Sequence, residues 1–575
     1  MGRPGSRIPA DGEKMRHVQC VKSEKGVKCM LTAIDNITVL LCVIGIFLVG
    51  KHFSNTSRDM DSFYQANKSI PWSLAVGTLV ASWYGGAGVI GTIGYATTMG
   101  VSAFFIWSIC AHLVRFPLAL WVAPRISVKV NTTMTELLNR YYGRAASLIG
   151  AVILVVSCLS IAEIAATGYV GVAAWDANKF VVAAAVVIIA TGITCLGGLM
   201  GVAVTDMIFF FLMITCVCAA YPQVYFEVGG FAGINQVLSQ VAPQMLTPLG
   251  GTPVGRAICL VVLCINVYKD PSFYQRFTAA NSPRTGKRAM LMCFSIWLSF
   301  DMVLITTAML IRTLHPQLEI QPEVAYVQLV LSNLPPVLRG LFVFGIMGAI
   351  ISTIDSYFLI GGEIVSRDIV GAFRKTPLTD RQSIGITRIT CIIFGIIGLC
   401  TAFSFPLVYD AFLFINSLSM CGLFVPVLGA ILSDSKKTDV GGLASMLFGS
   451  LSWIYFNYFP VSVDILGGQV DALLIALPIS FVAYVIGNRF GKVYCDDSLD
   501  SAVEAAIEQV EWFGVDGALV ALYAVLAVIY GYGMIHQVDG LVGIMAPGIA
   551  ILITFAVFMR YWFEVREFSK GKKKL

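Results

Sequence analysis

The sequence reads as an all-α integral membrane protein in which two five-helix repeats of opposite orientation pack together. Three observations carry that reading. Of 575 residues, 57% are hydrophobic and only 13% charged, with mean hydropathy +0.80, whereas a soluble globular chain carries about 25% charged residues. Apolar runs of roughly 20 residues, each long enough to cross a bilayer, recur about fifteen times. Two of these runs are interrupted, and each interrupted run opens a set of five, at 71–222 and then at 255–432. Paired interruptions at corresponding places mark a transporter built on inverted repeats, with its binding sites near the membrane midplane where the broken helices meet. The two halves share no visible sequence similarity, so the argument rests on the positions of the breaks.

Composition also excludes. The 15 cysteines sit mostly inside apolar runs with neither metal-ligand nor paired-disulfide spacing, and read as small buried hydrophobes. The net charge of +5 is scattered through loops and gives no reason to expect a nucleic-acid partner. The 5 histidines are dispersed, and no nucleophile elbow or phosphate-binding loop stands out, so no enzyme activity is expected.

Residues 1–30 are polar and basic and carry no signal-peptide cleavage pattern. We treat them as an N-terminal extension that is not native, with translation expected to begin at Met30. The first transmembrane helix is expected over 31–53. The next run, from Pro71, is dense in glycine at Gly85, Gly86, Gly88, Gly91 and Gly94. Glycine weakens a helix interior and frees the backbone, so a break is expected at 81–88. The same glycines would also serve close packing between helices. Single spans follow at about 101–124, 145–170, 178–197 and 203–222. The run at 255–274 is interrupted in turn by Lys269, Asp270 and Pro271, placing a second break at 266–271.

Spans at about 287–311, 338–362, 384–403 and 408–432 complete the second set. Additional C-terminal transmembrane helices are expected over 433–563. Within that stretch, 496–512 is acidic and amphipathic and reads as a cytoplasmic surface helix, and 564–575 as a basic tail. Arg125, Lys129, Arg140 and Arg144 flank one side of the membrane, as do Arg276, Arg284, Lys287 and Arg288, then Arg367, Arg374, Lys375 and Arg381. Basic loops face the cytoplasm, so the expected topology is multi-pass in the plasma (inner) membrane with the C-terminus inside.

The run 338–370 has the most to say about chemistry. Its middle places Ala349, Ser352, Thr353 and Ser356 at helical spacing on one face, beside Asp355. In hydrocarbon such groups face a bundle interior or an ion path. A face of neutral oxygens suits a hard monovalent cation, although hydroxyls in membrane helices also bond carbonyls one turn back.

Several segments resemble the sodium:solute symporter family, whose members include sodium/glucose, sodium/proline and choline transporters. They are DSFYQANKSIPWSLAVGTLVASW (61–83), TMTELLNRYYG (133–143), GGLMGVAVTD (197–206), DPSFYQRFTAA (270–280) and LRGLFVFGIMGAIISTIDS (338–356). The likeness runs from about 31 to 435 and implies a LeuT-like fold and solute uptake driven by co-transported sodium. Carried over by position, it implies a sodium site of the Ala81, Tyr84 and Ala349 carbonyls with the Ser352 and Thr353 hydroxyls. It also implies a candidate second cation at Asp206, Asp355 and Ser356, where Asp206 could instead simply cap a helix.

The substrate site is expected around Trp83, Tyr84, Gly85, Gly86, Gly88, Trp107, Glu163, Asn266, Lys269 and Asp270. The family's sugar-binding positions are Gly88 and Trp107 here, and its gating tyrosine is Ser272, which speaks against sugar. Ala81–Gly86 resembles the choline transporters, and a cage of Trp83, Tyr84 and Trp107 would hold a quaternary ammonium by cation–π attraction. Two further tryptophans of that cage are absent, at Ile161 and Asp270. The alternative cargo is an amino acid or carboxylate such as proline or pantothenate, with Lys269 as its partner. The alternative functions are a proton-coupled or uncoupled carrier and a transporter-like sensor.

Overall fold

The computed structural model describes residues 31–54, 59–130, 133–432, 437–494 and 514–569. The expected extension 1–30, the surface helix at 496–512 and the end of the basic tail therefore lie outside the described residues.

The principal helices, in chain order, are α1 (Ala33–Ser54), α2 (Trp72–Trp83), α3 (Ala87–Met99), α4 (Ala103–Lys129), α5 (Met134–Ser157) and α6 (Ile161–Trp175). Then come α7 (Lys179–Val228), α8 (Val254–Lys269), α9 (Pro271–Ala279), α10 (Pro283–Leu314), α11 (Pro322–Ser332) and α12 (Leu338–Glu363). The remainder are α13 (Asp380–Thr401), α14 (Val408–Leu432), α15 (Asp439–Tyr458), α16 (Ala472–Gly487), α17 (Val515–His536) and α18 (Gly540–Arg566). A two-stranded hairpin, β1 (Val461–Val463) with β2 (Gly468–Val470), pairs Val461 with Val470 between α15 and α16. Among the described residues, nine helices are long and apolar enough to cross a membrane, and two further spans are bent pairs.

The bent pairs are α2 with α3, meeting at 58°, and α8 with α9, meeting at 42°. The start of the first lies against the end of the second, where Ile70 N–H donates to Ala279 O (3.1 Å) and Asn281 N–H to Ile70 O (3.1 Å). The two broken helices thus run in opposite directions through the middle of the bundle, as inverted repeats require. Around them stand α10, whose most apolar window is wholly buried, and the α12 segment, buried over 94% of its window. A helix apolar all round belongs in the interior of a large bundle. By contrast α13 and α17 are each buried over only 33% of their windows and leave the rest to lipid.

One expected span is organised differently. The single span at 145–170 is divided, because α5 ends at Ser157 and α6 begins at Ile161, with Ser160 in left-handed geometry between them (φ 51°). The spans at 178–197 and 203–222 are both present within α7, as Lys179–Cys195 and Gly198–Val228, meeting at a kink at Gly198 (φ 56°, ψ −168°). Only glycine reaches that conformation without strain. The Phe63 carbonyl lies 2.8 Å from where a Cβ at Gly198 would stand.

Candidate functional site

The two breaks form by different local chemistry. At the second, Asp270 is the N-cap of α9: its carboxylate accepts from Ser272 N–H (2.8 Å), and Pro271 occupies the first helical position. Both residues suit a helix start, so the chain ends one helix and begins another within the membrane. At the first break, α2 ends as Tyr84 leaves helical geometry (φ −89°, ψ 43°). In an unbroken helix the N–H groups of Gly86 and Ala87 would bond the carbonyls of Ser82 and Trp83. Here both donate to the carboxylate of Glu163 on α6, the Ala87 bond at 3.2 Å.

The glycines at this break contribute closeness. None of Gly85, Gly86, Gly88, Gly91 or Gly94 has a positive φ. A Cβ on Gly85 would run into the Thr353 hydroxyl and the Glu163 carboxylate, and one on Gly88 into the Trp83 carbonyl. The packing role that sequence left open is therefore the one these glycines fill, and Glu163 supplies the interruption.

α12 brings its hydroxyl face against the break. Thr353 Oγ1 donates to Ala349 O (3.1 Å) and lies 3.3 Å from Ser82 O, so it bonds one turn back and also touches the opened end of α2. Ser356 likewise bonds Ser352 O (2.8 Å). Ser352 is buried with its hydroxyl towards the Asp206 carboxylate on α7.

Of the three residues of the candidate second cation site, Asp206 and Ser356 share a neighbour, and Asp355 makes its hydrogen bond elsewhere. Asp355 turns to α7, where Thr194 Oγ1 donates to it (3.0 Å). Asp206 and Ser356 instead surround a guanidinium, that of Arg276 on α9. Arg276 is 1% exposed and its Nη2 bonds Ser82 Oγ (2.6 Å) and Ser356 Oγ (2.5 Å) and lies 3.7 Å from Asp206 Oδ2. Its Nε bonds Thr78 Oγ1 (3.3 Å) and its Nη1 bonds Ser272 O (3.2 Å).

A cavity lies between the two breaks, with Trp83, Gly88, Trp107, Glu163, Lys269 and Asp270 in its wall together with Asp301, Tyr357 and Asn416. Tyr84, Gly85, Gly86 and Asn266 stand outside that wall. The Tyr84 hydroxyl reaches into the bundle, to Asp301 (2.6 Å) and Trp297 O (2.8 Å), and Asn266 donates to Asn416 (3.0 Å). The aromatic cage is not assembled. The Arg115 guanidinium lies over the Trp83 ring at 4.1 Å, while Trp107 packs edge-on against Tyr409 at 5.5 Å. Of the acidic wall residues, Glu163 caps α3, Asp270 caps α9 and accepts from Tyr357 (2.8 Å), and Asp301 accepts from Tyr84 and Ser108 (each 2.6 Å). Lys269 Nζ bonds only neutral oxygens, Ser419 Oγ (2.6 Å) and Asn416 Oδ1 (3.2 Å).

Sequence reasoning missed Arg276, Arg115 and Asp301. Asp301 carried a usable signal, a lone carboxylate inside the apolar run of α10. Arg276 carried a misleading one, because a basic residue among others near a span end reads as a topology marker.

The family model of the sodium:solute symporter family matches residues 63–449. Among curated relatives, a sodium/pantothenate symporter of Haemophilus influenzae is 25% identical over 310 residues, 52% of this chain and 62% of its own length. The high-affinity proline transporter PutP of Bacillus subtilis is 24% identical over 45% of this chain and 56% of its own length. The chain thus spans less than two thirds of either relative. A sodium/pantothenate symporter of Escherichia coli is 21% identical over 79% of this chain and 95% of its own length. Among solved structures, a Na+-coupled sialic acid symporter in a substrate-bound outward-open state superposes with a TM-score of 0.68 at 15% identity, covering 80% of this chain and 99% of that one. That likeness is one of fold.

Proposed function

Because this chain belongs to the sodium:solute symporter family, a family of transporters and not of enzymes, we propose that it imports a small organic solute by alternating access, driven by sodium. The observation that supports this best is the Thr353 hydroxyl, 3.3 Å from Ser82 O at a helix break whose Gly86 and Ala87 N–H groups bond Glu163. Hard neutral oxygens without donors suit an alkali cation. In this reading sodium is held by the carbonyls of Ala81, Tyr84 and Ala349 with the hydroxyls of Ser352 and Thr353. The solute occupies the cavity between the breaks, so the first interrupted helix lines both sites.

The wall of that cavity favours a solute bearing a carboxylate. Its acids are already bonded, whereas Lys269 spends two of three N–H donors on neutral partners and keeps one for an anion. One face of the Trp83 ring is covered by the Arg115 guanidinium. In this reading the protein crosses the plasma membrane many times with its C-terminus in the cytoplasm, the side that basic loop residues favour.

The test is ligand-induced thermal stabilisation of the purified chain against pantothenate, proline, prolinamide, choline, betaine, sialic acid and galactose, each in sodium and in potassium. Binding stabilises by mass action, and coupling makes sodium and solute strengthen each other reciprocally. A carboxylate that stabilises only in sodium, and not in Ser352→Ala/Thr353→Ala, is the expected result. Equal stabilisation in potassium and in the double variant would defeat sodium coupling. Choline as the only hit would defeat the carboxylate assignment alone.

A further inference from the structure

A second cavity lies behind α12, on the side away from the helix breaks. It measures about 290 Å³ and is walled by α1 from Val39 to Phe47, by α7 from Val181 to Ile193 with Phe209, and by Val343, Phe344, Met347, Gly348 and Ile351 of α12. At helical spacing those five α12 residues occupy the face opposite Ala349, Ser352 and Thr353. Among the described residues that line the cavity, none carries a hydroxyl, an amide or a charge. Such a wall gives water no partners, and an apolar cavity of about 150 Å³ already admits a benzene ring, so this one has room for a longer hydrocarbon. The α7 wall runs for roughly 18 Å at 1.5 Å per residue, so the cavity is a slot lying along the helices, the direction in which lipid chains run.

The slot is continuous with the lipid-facing surface. Val181 in its wall is 66% exposed, and Ile188 on the outer side of the same helix is 72% exposed. One end carries an interfacial marker: the Trp175 ring stands in the wall while its Nε1 donates to Asn36 Oδ1 (2.7 Å). A tryptophan so placed, apolar at one end and polar at the other, belongs at the level of the lipid headgroups. We propose that the slot holds one acyl chain of a bilayer phospholipid, which enters between α1 and α7 at the Trp175 end and lies against the back of α12. The proposal does not rest on the symport reading. Its floor is reached only through the slot, since Val343, Phe344, Met347 and Ile351 are all buried, Ile351 the most exposed of them at 8%. The chain takes the place of a side chain in the packing and braces α12 from the face opposite its hydroxyls.

The experiment places the purified full-length chain in nanodiscs of phosphatidylcholine bearing a photoreactive diazirine midway along one acyl chain, and maps the adducts by mass spectrometry after irradiation. Adducts are expected on the buried floor, 343–351, as well as on lipid-facing residues such as Ile188 and Ile396. Ala185→Phe, which sets a ring into the slot from α7, is expected to lose the floor adducts and keep those at Ile188. Should that variant fail to fold, Val43→Phe fills the slot from α1 and decides in the same way. Exhaustive delipidation in detergent is expected to lower the melting temperature of wild type more than that of the filled variant, whose ring replaces the packing of the chain. Lipid-facing adducts without floor adducts in wild type, floor adducts undiminished in both filled variants, or an equal fall in melting temperature would overturn the proposal. A floor labelled by a photoreactive sterol and not by the phosphatidylcholine would overturn it in favour of a rigid ring system, and a crosslink from the floor to another protein chain in favour of a second copy.

Discussion

A carboxylate can be buried in this protein in two ways, and the difference decides what each one does. Glu163 and Asp270 spend their charge on the opened ends of helices, where backbone N–H groups and the helix dipole stabilise an anion. Glu323, on α11, is fully buried and lies beside Gly94, with the Gln321 side chain and the Val408 N–H as its hydrogen-bonding neighbours. Burial pushes its carboxyl up from 4.5 to about 7, and α11 is not one of the membrane-crossing helices. A carboxyl with a raised folded-state pKa holds its proton more tightly folded than unfolded, so its contribution to stability falls as pH rises from 4.5 towards about 7 and is level above that. Glu323→Gln should remove this slope and raise the melting temperature at pH 8. A melting-temperature profile from pH 4.5 to 8 with the same slope in wild type and variant would show that Glu323 keeps its proton balance by other means. None of this was visible in sequence, where Glu323 follows a proline in a loop-like stretch and nothing signals that Gly94 will lie against it.

At the scale of elements, the breaks show what a local signal can and cannot carry. Asp270–Pro271 is self-sufficient: a cap and a proline at N1 restart a helix wherever they occur, and position 270 was legible as an interruption for that reason. The glycine run was legible as a weak point, but the carboxylate that accepts its freed N–H groups belongs to Glu163, nearly eighty positions later, which sequence presented as a substrate-site residue. The turn at Ser160 was not legible, since one residue in left-handed geometry leaves no trace in an apolar pattern that continues on both sides, whereas the kink at Gly198 falls where the expected spans 178–197 and 203–222 part. The hydroxyl face of α12 was legible from spacing alone, because a helix in hydrocarbon turns its polar residues to the interior; that Ser352 turns to Asp206 was not. Gly85 tests the contact between these elements. An added methyl meets Thr353 and Glu163 together, and overpacking of this kind costs roughly 1–3 kcal/mol. Gly85→Ala should weaken sodium binding by about tenfold or more for each 1.4 kcal/mol that falls on the site. A sodium titration unchanged in Gly85→Ala would place the ion elsewhere.

At the scale of the whole molecule, the fold-level expectation needed only composition, run length and the order of two interruptions, and these are insensitive to the details of any contact. The site needed distances between α2, α6, α9 and α12, which no single sequence prints. Arg276 is the clearest case: its neighbours come from four helices, and its own surroundings in the chain are those of an ordinary loop-flanking arginine. The dependence of the first break on Glu163 also has a consequence for biosynthesis. Residues 72–99 leave the ribosome well before α6, so when they enter the membrane the carboxylate that keeps them apart has not yet been made. They are therefore expected to insert as one straight span and to acquire the bend when α6 docks. A synthetic peptide of residues 71–99 in lipid bicelles should therefore show amide-exchange protection running unbroken through Gly86 and Ala87, whereas the intact protein carrying Glu163→Ala should lose the bend and with it sodium binding; a peptide already bent in isolation would mean that the glycines alone suffice.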